Sequence, residues 1–378
     1  MSKRLLVMAG GTGGHVFPGL AVVNLLREQG WEIHWLGCAT RMEAQLVPQH
    51  NIDISFIDVE GVRGNGIVRL IKAPFKLLRS VWQARAVIKE YQPDVVLGMG
   101  GFASGPGGIA AKLCQLPLVL HEQNAIAGMT NRYLAKMADA VMVAFDGALA
   151  EASPHVVGNP VRADIISLGA QSKQVDVAKS QFNVLVVGGS LGAKVLNETM
   201  PQACQHLSEL NIHIRHQAGK GNSQVLKDAY QGIEHIQVSD FIDDMADAYQ
   251  WADLVVCRAG ALTVSEIAVL GLPAIFVPLP YAVDDHQTKN AQALTQVGAA
   301  KLLPQSEMTA ESLAQQIQQI LSPEQLILMS RASKGVAKLD ATEQVALMCA
   351  KLAGDDYHAL AQRLEKNFRL TEVERVEQ

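Results

Sequence analysis

Two glycine-rich turns constrain this chain most: Gly10-Gly11-Thr12-Gly13-Gly14-His15 near the start and Gly188-Gly189-Ser190-Leu191-Gly192-Ala193 near the middle. Each follows an apolar, strand-like run (5–9 and 184–187) and opens a stretch with helical spacing. A strand, a glycine turn and a helix in succession aim backbone N–H groups and a helix N-terminus at one spot. That arrangement suits a phosphate or a developing negative charge. One such unit in each half of 378 residues predicts two α/β domains, each long enough to bury its own core.

The rest of the chain keeps this rhythm. Residues 5–9, 32–37, 54–58, 95–98, 118–121 and 140–144 read as strands in the first half, with helical spacing over 19–29 and 74–90. The second half repeats the theme at 183–188, 213–218, 236–238, 254–257, 274–277 and 300–303. Strands alternating with helices imply parallel, doubly wound sheets with right-handed crossovers. The turn-rich Gly158-Asn159-Pro160 marks the boundary, giving domains at 1–160 and 161–340. A helix over 341–354 is expected to return to the first domain, and 355–378 reads as a charged tail.

Composition narrows the functional classes. No apolar run approaches the ~20 residues that cross a bilayer, and Lys3-Arg4 leads into a strand rather than a signal-peptide core. Five scattered cysteines without a C-x-x-C pair predict a reduced, cytoplasmic protein with neither disulfides nor a zinc site. A net charge of -5 argues against a nucleic-acid partner.

The first turn fails as a dinucleotide fingerprint: Val16 stands where the third glycine belongs, and the second strand ends at Gly37-Cys38 without the ribose-binding acid. A phosphate-binding P-loop fails too, since Gly219-Lys220 is followed by Gly221. What remains is a backbone cradle ending in His15, a residue either structural or facing a ligand crevice. A third glycine cluster, Gly98-Met99-Gly100-Gly101-Phe102-Ala103-Ser104-Gly105, follows another strand. It serves either tight strand–helix packing or, jointly with the first turn, a diphosphate. His121-Glu122-Gln123-Asn124 ends a further strand and is no zinc motif, because Ala125 stands where H-E-x-x-H needs histidine. In the second half, Arg258-Ala259-Gly260-Ala261-Leu262-Thr263-Val264-Ser265-Glu266 places a helix N-terminus after a strand. Glu266 is either a ribose ligand or an ordinary first-turn carboxylate. The absence of D-x-D weakens any metal-bridged nucleotide diphosphate.

One segment points to a surface rather than a pocket. Arg63, Arg69, Lys72, Lys76, Arg79, Arg85 and Lys89 lie between Gly61 and Lys89 with no acidic residue. On a helix from Pro74, Leu77, Val81, Ala84 and Ile88 form one stripe, while Phe75, Arg79 and Trp82 fall nearly opposite. The second stripe either covers core or faces an anionic bilayer, where each nearby Lys or Arg contributes about 1 kcal/mol.

Taken together, GGTGGH, GMGGFASGPGG, HEQNAIAG, GNPVR, GGSLGA, RAGALTVSE and DDHQTKNA resemble the bacterial MurG family. These are UDP-N-acetylglucosamine:lipid I N-acetylglucosaminyltransferases of peptidoglycan synthesis. The likeness runs in order from about residue 4 to 352. It implies a GT-B fold, two Rossmann-like domains facing a cleft, and inverting transfer to the muramyl 4-hydroxyl of lipid I, giving lipid II and UDP without a required cofactor. It assigns the donor UDP-GlcNAc to Arg162, Ser190, Ile242, Ala261, Leu262, Thr263, Val264, Ser265, Glu266, Gln287 and Asn124. Thr12, Gly13 and Gly14 would close on the sugar. The acceptor diphosphate falls to Gly11, Gly13, Gly14, Gly100 and Gly101, and the catalytic base to His15, with Glu122 as alternative or orienting partner. Lys72, Phe75, Lys76, Arg79 and Trp82 would meet the anionic cytoplasmic face of the inner membrane, where other cell-wall synthesis proteins are further partners. Another UDP-sugar enzyme of the same fold, such as a sugar-nucleotide epimerase, and a non-catalytic UDP-sugar sensor are the competing readings.

Overall fold

A computed structural model describes residues 2–59, 67–171, 178–189, 192–280 and 285–365, with backbone alone over 67–73. The chain divides into two compact units, Met1–Arg162 with Asp340–Gln378, and Ala163–Leu339.

The first unit runs β1 (Arg4–Ala9), α1 (Gly13–Glu28), β2 (Glu32–Gly37), α2 (Glu43–Gln49), β3 (Asp53–Phe56), α3 (Ile67–Tyr91), β4 (Val95–Gly100), α4 (Ser104–Leu113), β5 (Leu118–Glu122), α5 (Met129–Leu134), β6 (Ala140–Val143) and β7 (His155–Val156). The second runs α6 (Ala163–Ala170), β8 (Gln181–Val187), α7 (Lys194–Gln205), β9 (Asn211–Gln217), α8 (Ser223–Ala229), β10 (Ile236–Ser239), α9 (Met245–Trp251), β11 (Leu254–Cys257), α10 (Ala261–Leu270), β12 (Ala274–Phe276), α11 (His286–Thr295), β13 (Ala300–Leu302), α12 (Ala310–Ile320) and α13 (Pro323–Val336). A last helix, α14 (Ala341–Leu352), rejoins the first unit and packs on α1.

Both sheets are parallel, with strand orders β3-β2-β1-β4-β5-β6-β7 and β10-β9-β8-β11-β12-β13. In each, the order reverses between two central strands, β1/β4 and β8/β11. At such a switch point the connections leave in opposite directions and open a crevice beyond the strand C-termini. The two glycine clusters of the first unit follow β1 and β4, that of the second follows β8, and Gly260 follows β11, so the topology gathers these turns at the two switch points. The strands are nearly continuous apolar runs because both faces are covered by helices. Leu5, Val7 and Val95 on one side, and Val184, Val186 and Leu254 on the other, are wholly buried.

Several boundaries differ from the sequence expectations. Val161 and Arg162 belong to the first unit, not the second: Val161 is buried and its carbonyl accepts from Thr342 at 3.4 Å. Asp340, the residue before α14, belongs there as well. The segment after Gly354 is not merely a charged tail, because residues 357–365 are helical and bury Leu360 and Leu364 in the first core. Helix α1 begins at Gly13 instead of 19 and takes in Pro18; α3 extends seven residues ahead of Pro74. Among the described residues no helix is long and apolar enough to cross a membrane.

Candidate functional site

At the β1/β4 switch point, α1 opens with Thr12 as N-cap in extended geometry and without a side-chain capping bond. The Gly13 and Gly14 amides therefore lack an intrahelical partner, and a 16-residue helix dipole lies behind them. The neighbouring amides are spent inside the protein. The Gly11 N–H donates to the Glu43 carboxylate at 2.9 Å, and the second oxygen of Glu43 accepts from the Cys38 N–H at 3.0 Å. The Gly100 N–H donates to Ser104 Oγ at 3.1 Å. The amides of Gly11 and Gly100, expected near the acceptor diphosphate, are thus engaged within the protein, while those of Gly13 and Gly14 lack an intrahelical partner.

Gly100 and Gly101 serve sterically instead. Both hold positive φ (97° and 87°). A Cβ on Gly100 would stand 2.9 Å from His15 Nδ1, and one on Gly101 would run into the carbonyl of Gly10. A register shift between Met8 and Ala9, opposite Met99, carries Gly100 to this position. The two glycine turns of the first unit therefore pack together with no room for a methyl group at Gly100 or Gly101.

His15 lies in the first turn of α1, its Nδ1 2.7 Å from Gln123 Oε1. Glu122, at the end of β5, is buried and accepts four hydrogen bonds. Asn124 N and Nδ2 reach one oxygen at 2.9 and 3.3 Å, and Gly128 N and Asn131 Nδ2 reach the other at 3.2 and 2.8 Å. A carboxylate with its lone pairs so occupied is a clamp for the 124–131 loop. Those bonds give Glu122, expected as alternative base or orienting partner, a structural role at the end of β5. The same bonds hold Asn124, expected at the sugar, by its side chain.

In the second unit, the β8/β11 switch point carries the second glycine turn and the N-terminus of α10. Ser190 lies outside the described residues. Gly260 caps α10 in extended geometry and has no side chain to occupy the first amides. Ala261, Leu262, Thr263, Val264 and Ser265 form the opening turns, and Glu266 follows on the same helix, buried. Tyr249 donates from its hydroxyl to Glu266 Oε2 at 3.1 Å. Burial, with Glu266 adding a smaller effect, pushes the Cys257 thiol far above its ordinary value. Ile242 sits in the loop between β10 and α9. Gln217, at the end of β9, donates from Nε2 to Gly189 O and Asp240 O at 2.9 and 3.0 Å. It thereby ties the second glycine turn to the Ile242 loop. Gln287 opens α11, and its Oε1 accepts from Leu279 N at 2.9 Å. Arg162 is the last residue of the first unit before the chain crosses into the second.

Along α3, Phe75, Leu78, Arg79 and Trp82 are exposed, Phe75 and Trp82 to 73% and 65%. Val81, Ala84 and Ile88 are buried against the sheet. Leu77 departs from the expected buried stripe and is itself exposed, because inward packing starts only at Ser80 and Val81. Arg79 pairs with Asp58 at 3.1 Å, and the Arg85 guanidinium lies 5.5 Å from the Trp82 ring centre. The side chain of Lys72 lies outside the described residues; Lys76 follows on the described part of the helix.

Sequence reasoning missed Glu43, Gln217 and Tyr249, and it marked His121 and Gln123 only as part of a polar strand end, without their partners. The residues that Glu43, Gln217, Tyr249 and Gln123 hold are brought to them by the fold, and a single polar side chain carries no mark of its partner.

Residues 5–143 match the glycosyltransferase family 28 N-terminal domain and 183–345 its C-terminal domain. The chain is 57% identical, over 93% of its length and 98% of the relative's, to the UDP-N-acetylglucosamine–N-acetylmuramyl-(pentapeptide) pyrophosphoryl-undecaprenol N-acetylglucosamine transferase of Shewanella woodyi. The same-named enzyme of Shewanella sp. strain ANA-3 is 58% identical over 93% of this chain and 98% of its own. Crystalline MurG of Acinetobacter baumannii superposes with a TM-score of 0.82 at 44% identity, covering 92% of this chain and 99% of that one. The two parallel-sheet units are accordingly those of the GT-B fold. With both of its domains matched and relatives aligned over nearly their whole length, the chain belongs to glycosyltransferase family 28 and, within it, to the MurG N-acetylglucosamine transferases.

Proposed function

We propose that this protein transfers N-acetylglucosamine from UDP-N-acetylglucosamine to the 4-hydroxyl of the muramyl sugar of lipid I, with inversion. The products are β-1,4-linked lipid II and UDP. The observation that carries the catalytic assignment is His15, set in the first turn of an uncapped helix with Nδ1 held by Gln123. As the acceptor oxygen bonds to the anomeric carbon, its proton passes to His15 Nε2. The anomeric C–O bond to UDP breaks, and its electron pair leaves on the diphosphate. The N-terminus of α10 meets that charge with fixed dipoles, so the reaction as drawn calls for no cofactor. Glu266 takes the ribose hydroxyls, the Ile242 loop the uracil, and Gly13 and Gly14 the acceptor diphosphate. Arg162, Asn124, Gln287 and Thr12 complete the donor contacts.

The exposed Phe75, Leu78 and Trp82, with Lys76, Arg79 and Arg85, support peripheral attachment to the anionic inner face of the cell membrane. There the protein meets its polyprenyl substrate and other cell-wall enzymes. Seating two aromatic side chains in lipid contributes roughly 3 kcal/mol or more. Phe75→Ala with Trp82→Ala should therefore cut binding to anionic vesicles about 100-fold in flotation assays, leaving donor affinity unchanged. Unaltered vesicle binding would refute this surface.

The test of the reaction is UDP release from UDP-N-acetylglucosamine with and without a soluble lipid I analogue, followed by mass analysis. Acceptor-dependent release with a disaccharide product is the expected outcome. Release that ignores the acceptor would speak for an epimerase or hydrolase instead.

A further inference from the structure

His121 has no role so far, and Gln123 only that of holding His15, yet both belong to one buried hydrogen-bonded chain that ends on His15. Its direction can be read from the far end. A backbone carbonyl only accepts, so the 2.9 Å contact between His121 Nε2 and Gly158 O makes that nitrogen the donor. Complete burial pushes the pKa of His121 down to about 4, which keeps the ring neutral and leaves a lone pair on Nδ1. Gln123 Nε2 lies 3.1 Å from that lone pair and 3.3 Å from the carbonyl of His121. Both neighbours accept, so the amide nitrogen must face them, and Oε1 must face His15 at 2.7 Å. An amide oxygen also only accepts. The proton of neutral His15 therefore sits on Nδ1, and the lone pair on Nε2. Asn159 Nδ2, 3.1 Å from the carbonyl of Gln123, fixes the backbone of the relay.

We propose that His121 and Gln123 are positioning residues that set the tautomer of His15, holding Nε2 unprotonated and ready to accept the proton of the sugar hydroxyl. The inference rests on His15 being the base, as proposed above. When Nε2 takes the proton and the glycosidic electron pair departs with UDP, the imidazolium keeps its Nδ1–H on Gln123. That hydrogen bond strengthens as the ring becomes charged. An amide in this place orients the ring without adding a negative charge beside it.

The experiment is nitrogen NMR of the full-length protein labelled at histidine, with kinetics of two variants. The wild-type spectrum should show a pyrrole-type Nδ1 and a pyridine-type Nε2 for His15. Gln123→Met, similar in length but unable to accept from Nδ1–H, should lower kcat roughly 10- to 100-fold with the donor KM held within about 2-fold. Gln123→Glu should recover part of kcat and move the acid limb of the kcat profile to higher pH, because a carboxylate there favours the imidazolium. A protonated Nε2 in the neutral wild-type ring, or wild-type kcat in Gln123→Met, overturns the proposal. Should Gln123→Met fail to fold, the wild-type spectrum alone decides. The two layers fail separately. A reversed tautomer sinks the relay whatever the base, whereas the expected tautomer with wild-type kcat in His15→Ala sinks the base and the catalytic half of this proposal.

Discussion

The two switch points look alike in sequence and are built differently. Each puts a glycine-bearing turn after two central parallel strands and ends one of them in a helix N-terminus without a capping side chain. In the first unit the turn is braced from within: Glu43 takes the Gly11 amide, Ser104 takes that of Gly100, and Gly101 packs on Gly10. The His15 imidazole is hung from a buried amide. In the second unit the bracing falls on side chains, with Tyr249 holding Glu266 and Gln217 tying two loops together. On the proposed function, the first arrangement would fix a proton acceptor at one point and the second would shape a surface for an extended nucleotide. Glycine content reports a close approach of backbones, not what the approach is for.

Four perturbations test what the two units share and where they differ. The largest effect is expected from His15→Ala, which should lower kcat by about 10²- to 10⁴-fold while leaving the donor KM nearly unchanged, as loss of a transition-state proton acceptor does. A matching rise in KM would merge the two roles and break the comparison. Acid acts on both units with the same sign. Buried His121 and His216 have pKa values pushed down by desolvation to about 4 and about 3. The unfolded chain takes these protons below about 6.5, while the native chain does not. Stability is therefore full above that pH and falls as the pH drops toward 4, by roughly 3 kcal/mol for His121 alone. Urea midpoints measured between pH 7 and 4 check this; a flat profile would contradict the buried neutral rings.

Glu43→Ala leaves two backbone N–H groups without their acceptor and should cost about 2 kcal/mol of stability. Differential scanning calorimetry and donor titration should show a lowered melting transition with donor affinity intact. Tyr249→Phe is the mildest change. It should raise the donor KM a few-fold, roughly what one hydrogen bond to a carboxylate is worth when partly replaced by water, and spare kcat. A fall in kcat without a change in KM would show that Glu266 takes part in the chemistry and not in binding alone.

The strands were legible because both sheets are buried on two faces, and short apolar runs bounded by glycine have few other uses. The start of α1 was not, because Gly13, Gly14 and Pro18 look like a loop until the strand order shows a helix must leave there. The helical end at 357–365 did carry a sign, Leu360 and Leu364 one turn apart, submerged among charges. His15 stood out by following four glycines in five residues. Its partner Gln123 lies 108 positions away and could not be paired with it by any local rule.

The sequence by itself determined the two-domain parallel architecture and the glycine turns, and it marked His15, Glu266 and the two stripes of α3 as candidates with more than one reading. The architecture and the turns follow from patterns within a few residues, where period and backbone freedom decide. The tertiary structure decided which glycine amides are spent inside the protein, that the Glu122 carboxylate holds the 124–131 loop, and that His15 Nδ1 meets Gln123. Those outcomes depend on hydrogen-bond partners brought together by sheet order, and a donor is spent or available only once its neighbour in space is known.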